Sequence, residues 1–154
     1  MASKTSPDDL LEFHGQIVNL VKKYQFRDRN QITCFGVSVS QCYVMETLHA
    51  LGPLTMHDLA RKMYLSVSTL TRVVATLVAK GFVERHEAPE DRRVRLVRLT
   101  ARGESVRGKC WDNVLRSEKM IFENVPRNHR ASVIRALARL NQAVDRWHAR
   151  CDGS

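Results

Sequence analysis

The sequence predicts a mainly α-helical fold of about six helices with one small β-hairpin, and three observations carry that reading. Apolar residues recur at three- and four-residue spacing through most of the chain, the periodicity of amphipathic helices. Capping residues and glycines bound those segments, as helix starts and stops do. Residues 82–99 break the pattern with two short apolar-rich runs about a charged turn, which suits a hairpin. At 154 residues the chain fits a single domain, 1–154, able to bury a core.

The first helix is expected over 6–26. Ser6 caps it, Pro7 takes the first helical position and Asp9 lies near the positive helix end, a favourable start. Leu10, Phe13, Ile17, Leu20 and Tyr24 form its stripe, widened by His14, Val18 and Val21. A face so broad at a chain terminus suits a second subunit as well as the chain's own core. Residues 27–39 are mixed in character and Gly36 breaks them. Ser38 and Gln41 then make a capping box for a helix turning Val44, Met45, Leu48 and Leu51 inward, stopped by Gly52 and Pro53. Thr55 with Asp58 makes a second box and Leu54 with Leu59 a hydrophobic staple, opening a short helix whose Leu59 and Met63 face the core.

Three residues later Ser66 caps the central helix, with Thr69 at the third helical position, Leu65 and Leu70 as staple and Gly81 as a left-handed stop after about 15 residues. Two helices joined by so tight a turn form a helix-turn-helix, whose second helix enters the DNA major groove. Leu70, Val73, Val74, Leu77 and Val78 form its apolar stripe, and Ser68, Arg72, Ala75, Thr76 and Ala79 face away. That outer face is small and hydroxylic with a single arginine. In a major groove Ser and Thr can meet phosphates or base edges, Ala a thymine methyl and Arg a guanine. The hairpin follows, its tip holding Glu90, Asp91, Arg92 and Arg93. A guanidinium on a thin loop can enter a narrow minor groove. Thr100 caps a long helix to about Val125 with Val106, Cys110, Val114 and Ile121 on one stripe and Trp111, Leu115 and Phe122 beside it; Gly103 and Gly108 weaken its first turns. The last helix, from near Pro126 to Cys151, places Val133, Leu137, Leu140, Val144 and Trp147 at three/four spacing. With the first helix it would suit a dimer, and two-fold symmetry would set two reading helices one DNA turn apart.

Charge agrees with this reading. The chain carries 25 Lys and Arg against 16 Asp and Glu, and residues 61–109 alone hold 12 against 5. Such clustering is the footprint of a polyanion-binding face, although a solvated basic surface would look alike. The polar N-terminus lacks the apolar core of a secretion signal and no run is long enough to span a bilayer, so a soluble, cytoplasmic protein without membrane contact is expected. Cys34, Cys42, Cys110 and Cys151 show no CxxC spacing, which suits reduced thiols. The six histidines are dispersed and no phosphate loop, nucleophile elbow or HExxH pattern occurs, so neither catalysis nor a cofactor is expected.

Residues 54–60 (LTMHDLA), 66–74 (SVSTLTRVV), 77–85 (LVAKGFVER) and 89–93 (PEDRR), with 97–100 (VRLT) behind them, together resemble the multiple-antibiotic-resistance regulator (MarR) family of winged-helix transcription factors. The resemblance implies a winged helix-turn-helix lobe over 40–100, with 6–26 and 101–151 as dimerisation helices. It implies an obligate homodimer, interlocked through residues such as Leu10, Ile17, Val133, Leu137, Leu140, Val144 and Trp147, that binds an inverted-repeat operator in double-stranded DNA. On that reading Ser66, Ser68, Thr69 and Arg72 meet the major groove and nearby phosphates. Arg93 enters the minor groove, held by Asp91 through a charge-assisted hydrogen bond, while Arg92, Arg95 and Lys62 contact phosphates.

Members of the family usually respond to a signal, and three readings stand. A small aromatic or anionic effector in the crevice between dimer helices and DNA-binding lobe is the default, releasing a repressor from DNA. Thiol oxidation is the second; peroxide sensors of the family carry a reactive cysteine near the start of the first helix, which this chain lacks, leaving Cys34 as the candidate. The third is zinc, because Cys42, Glu46 and His49 fall at i, i+4 and i+7 with Cys34 close by. A buried thiol and solvated Glu and His would give the same pattern. Outside this class, a winged helix could serve as a protein-binding module.

Overall fold

The computed structural model describes residues 6–32, 35–91 and 93–151, with side chains left out for 29–32 and 151. Six helices and three strands follow in the order α1 (Pro7–Ile32), α2 (Val39–Leu51), β1 (Leu54–Thr55), α3 (Met56–Lys62), α4 (Val67–Ala79), β2 (Val83–Glu87), β3 (Arg95–Leu99), α5 (Ala101–Glu123) and α6 (Arg127–Cys151). The chain packs as two compact units that divide after Val114.

In the first unit the expected caps are in place. Ser38 Oγ accepts from the Gln41 amide at 3.2 Å while Gln41 Oε1 accepts from the Ser38 amide at 3.1 Å, a reciprocal box that satisfies two otherwise orphaned donors. Thr55 Oγ1 caps α3 by accepting from the Asp58 amide at 3.0 Å, and Ser66 Oγ caps α4 by accepting from the Thr69 amide at 3.2 Å. Both α3 and α4 end the same way. The Leu65 amide reaches back to the Ala60 carbonyl, as the Phe82 amide does to Leu77, with Tyr64 (φ 54°) and Gly81 (φ 70°) in the left-handed position between.

Val44, Met45 and Leu48 of α2, Leu59 of α3, Leu70, Val74 and Leu77 of α4, Val83 and Val97 of the sheet and Cys110 of α5 form one buried cluster. The sheet has strand order β1-β3-β2, all antiparallel, with Leu54 opposite Val97 and Val83 opposite Leu99. Four expectations shift. Leu54 and Thr55 serve a third strand as well as the start of α3, α1 continues to Ile32 through residues that look mixed in sequence, Leu51 at the end of α2 is 52% exposed and does not turn inward, and Val78 is 40% exposed, outside the apolar stripe of α4.

Gly103 explains how α5 seats on this unit. A Cβ there would lie 1.9 Å from the Phe82 carbonyl oxygen, so only glycine lets the helix approach. Thr100 Oγ1 fixes the same junction, donating to the Gly81 carbonyl at 2.7 Å and accepting from the Gly103 amide at 3.0 Å. In the second unit Arg130 of α6 closes the end of α5: its guanidinium donates to the Val125 and Glu123 carbonyls at 2.9 Å each and lies over the Phe122 ring, a favourable partner for a helix C-terminus. None of the described residues from 115 to 150 is buried.

Candidate nucleic-acid interface

The turn between α3 and α4 is three to four residues long and α4 presents one face outward. Leu70, Val74 and Leu77 are buried, whereas Ser66, Ser68, Thr69, Arg72, Ala75, Thr76 and Ala79 are exposed. Ser66, Ser68 and Thr69 form a small hydroxyl cluster at the helix start, with Ser66 Oγ 3.1 Å from Ser68 Oγ and 2.9 Å from Thr69 Oγ1. The cap is thus shared by three side chains at the positive end of a helix, where an anion is favoured.

The basic residues divide by their partners. Arg61 pairs with Asp58 at 2.8 Å, Arg98 with Glu84 across the hairpin at 2.6 Å, and Arg95 with Glu87 at 3.7 Å. Arg107 is clamped between Glu46 at 3.0 Å and Glu104 at 3.2 Å. Lys80 donates to the Gly36 carbonyl at 2.5 Å and to Gln41 at 3.1 Å, tying the end of α4 to the start of α2. Arg72, Lys62 and Arg93 form no ion pair with a described residue. Their positive charge is not neutralised internally, which is the state expected of groups that meet phosphate. Arg92 lies outside the described residues.

Asp91 orders the wing through the backbone. Its Oδ1 accepts from the Arg93 amide at 2.9 Å and its carbonyl from the Val94 amide at 3.0 Å, so the carboxylate fixes the turn on which Arg93 sits and leaves the Arg93 guanidinium exposed.

The helix face read for metal looks different once packed. Cys42 is buried, and burial first, then the neighbouring Cys110, pushes its thiol up to about 12. Glu46 faces Arg107, and His49 Nδ1 lies 3.1 Å from both Glu104 carboxylate oxygens. Among the described residues no three His, Cys, Asp or Glu converge on a common point; Cys34 lies outside them. A feature not anticipated is Asp28, 4% exposed, which accepts from Arg27 at 2.6 and 2.9 Å and from the Tyr43 hydroxyl in a short hydrogen bond. Desolvation of the hydroxyl and that bond push the Tyr43 phenol above its ordinary range. Asp28 and Tyr43 border a cavity of about 500 Å³ between α1 and α2, lined also by Val21, Tyr24, Val39 and Ser40. Nothing local in the sequence marks it, because Asp28 fell in the segment without clear periodicity.

The MarR family profile matches residues 37–94, which take in α2, the helix-turn-helix and the wing up to Val94. An uncharacterised HTH-type transcriptional regulator of Bacillus subtilis, YdgJ, is 29% identical over 149 residues, spanning 97% of this chain and 88% of that protein. Residues 37–94 form a MarR-type domain. The multiple antibiotic resistance protein MarR of Escherichia coli is 28% identical over 97 residues, 62% of this chain and 67% of its own. A MarR family protein from Bacillus stearothermophilus superposes with a TM-score of 0.84 at 23% identity, over 92% of this chain and 99% of the other. A mutant Escherichia coli MarR solved in complex with operator DNA superposes at 0.72 and 22% identity, over 88% and 99%. With this domain the chain is a MarR-type transcription regulator with a winged-helix fold, and no helix among its described residues is long and apolar enough to cross a membrane.

Proposed function

We propose that this regulator binds an inverted-repeat operator in double-stranded DNA as a homodimer, represses the adjoining gene, and is released by a small effector. The observation that carries the reading is that Arg72 on the outer face of α4 and Arg93 at the wing are exposed and form no ion pair with a described residue, while Arg61 on α3 and Arg95 and Arg98 on the hairpin are paired with Asp58, Glu87 and Glu84; Arg85 on β2 is a further exposed cation beside α4. Ser66, Ser68 and Thr69 supply the anion-favouring helix start for a flanking phosphate, and Lys62 adds a charge at the end of α3. Arg95, which shares its charge with Glu87, is the weaker phosphate contact. The dimer is supported by the terminal helices. Leu10 is 57% exposed on α1, and Leu137, Val144 and Trp147 are 46%, 43% and 60% exposed on α6, far more apolar surface than a stable monomer leaves open.

The cavity beside Asp28 and Tyr43 favours an effector of small, partly aromatic type, and its size suits one. Cys42, held protonated by burial, is a poor metal ligand, which favours effector binding over the zinc reading. A randomised-library selection followed by fluorescence anisotropy tests the proposal. The recovered sites should be palindromic, and an inverted-repeat duplex should bind at least a hundredfold tighter than its scrambled form at physiological salt. Equal binding of the two would make the winged helix a general polyanion or protein contact instead.

A further inference from the structure

We propose that α4 selects its half-site through thymine methyl groups, read by an apolar edge that Val67 and Thr71 form beside Arg72; this rests on the operator-binding reading above. Val67, the first residue of α4, is 44% exposed and therefore contributes little to the core. Thr71 follows four residues later, on the same side of the helix, and is exposed as well. Its hydroxyl is already used, donating to the Val67 carbonyl at 2.7 Å, so the group it offers an approaching surface is its methyl. Ala75 continues the edge by one more turn.

The next hydroxyl along the helix is used in the same way: Thr76 donates to the Arg72 carbonyl at 3.1 Å. Beyond the hydroxyl cluster that Ser66 makes with Ser68 and Thr69 at the helix start, a face that looks hydroxylic in sequence is thus, in three dimensions, largely a methyl surface with one guanidinium. In the major groove the complementary apolar group is the thymine C5-methyl, and the complement of the guanidinium is guanine O6 and N7. At the C-terminal end of the edge Ala75 and Val78 border a depression lined also by Glu84 and Arg85 of β2, so that end of the helix faces the hairpin. The reading therefore falls to Val67 and Thr71, at the end of the helix that meets bases in this motif.

The probe is the selected operator duplex with single thymines replaced by deoxyuridine, which removes only the methyl. At one or two positions in each half-site, symmetrically placed, affinity should fall roughly fourfold per methyl lost. Val67→Ala should weaken binding to the thymine duplex and abolish the thymine-over-uracil preference at one of those positions, with an unchanged circular dichroism spectrum. Thr71→Ser, which keeps the hydroxyl and loses the methyl, should abolish it at the neighbouring position, whereas Thr71→Val should retain it. If the palindrome is preferred over its scramble but uracil is neutral at every position, the methyl reading is overturned while operator binding stands. If no duplex is preferred, the operator reading fails and this inference with it.

Discussion

Gly103 shows how a residue that weakens a helix can be indispensable to the fold. Its flexibility costs α5 up to about 1 kcal/mol relative to alanine, yet a Cβ would meet the Phe82 carbonyl at 1.9 Å, backbone that cannot swing aside. Gly103→Ala should therefore destabilise by about 3 kcal/mol or more, read as a lower denaturation midpoint, where helix propensity alone would forecast a gain. Arg93 sits at the opposite pole, with no fold role. Arg93→Ala should leave the melting temperature unchanged and weaken operator binding about tenfold or more, lowering the salt slope by about one; unchanged affinity would remove the wing from recognition. Cys42 bears on pH. Burial keeps its thiol protonated in the fold up to about 12, against an ordinary 9.0, so the folded protein holds a proton that the unfolded chain releases. Its contribution is complete below about pH 9 and declines as pH rises toward 12. At pH 8 iodoacetamide should leave Cys42 unmodified in the folded protein and alkylate it in denaturant, as peptide mass mapping will show.

At the scale of elements, local chemistry was legible and long-range pairing was not. The capping box at Ser38, the caps at Thr55 and Ser66 and the stop at Gly81 lie within a few residues of the groups they satisfy, so the sequence displays each, although Asp58 meets the Thr55 hydroxyl and does not close the expected second box. Strand β1 is different. Leu54 and Thr55 become a strand only because Val97 and Leu96 come alongside, and a two-residue strand has no periodicity to read. The continuation of α1 to Ile32 was hidden by polar residues that carry no stripe, and with it the burial of Asp28. The hydroxyls of α4 were legible as residues but not as bonds: their donation to Val67 and Arg72 carbonyls follows from rotamers. The matched ends of α3 and α4 make a test. Tyr64 occupies the left-handed position that Gly81 fills at the next helix, and a side chain there costs about 1 kcal/mol or more. Gly81→Ala should thus destabilise by about 1 kcal/mol with no clash, since its Cβ would find only Arg102 at 3.8 Å. Tyr64→Gly should change stability by less, because relief of strain is offset by the greater freedom of an unfolded glycine. Equal losses at both sites would show that Tyr64 contributes by its side chain.

For the molecule as a whole, the decisive quantity is apolar surface left without a partner. The winged-helix unit has a complete core, but α6 carries a regular apolar stripe with no buried residue among those described, and a 25-residue helix gains little stability from propensity alone. Two copies that interlock through such stripes would hide them and fix the distance between two α4 helices. Operator affinity then depends on dimerisation as much as on the reading residues, because the second half-site binds at the high effective concentration set by the first. Leu137→Glu places a charge in the middle of the stripe, at a residue already 46% exposed, so each winged-helix unit should still fold. Light scattering should report a monomer, and the dependence of melting temperature on protein concentration, expected of an obligate dimer, should disappear. Affinity for the inverted repeat should drop at least a hundredfold and approach that for a single half-site. A variant that stays dimeric with full operator affinity would place the subunit contact elsewhere; one that becomes monomeric yet binds the repeat undiminished would show that the two half-sites are read independently.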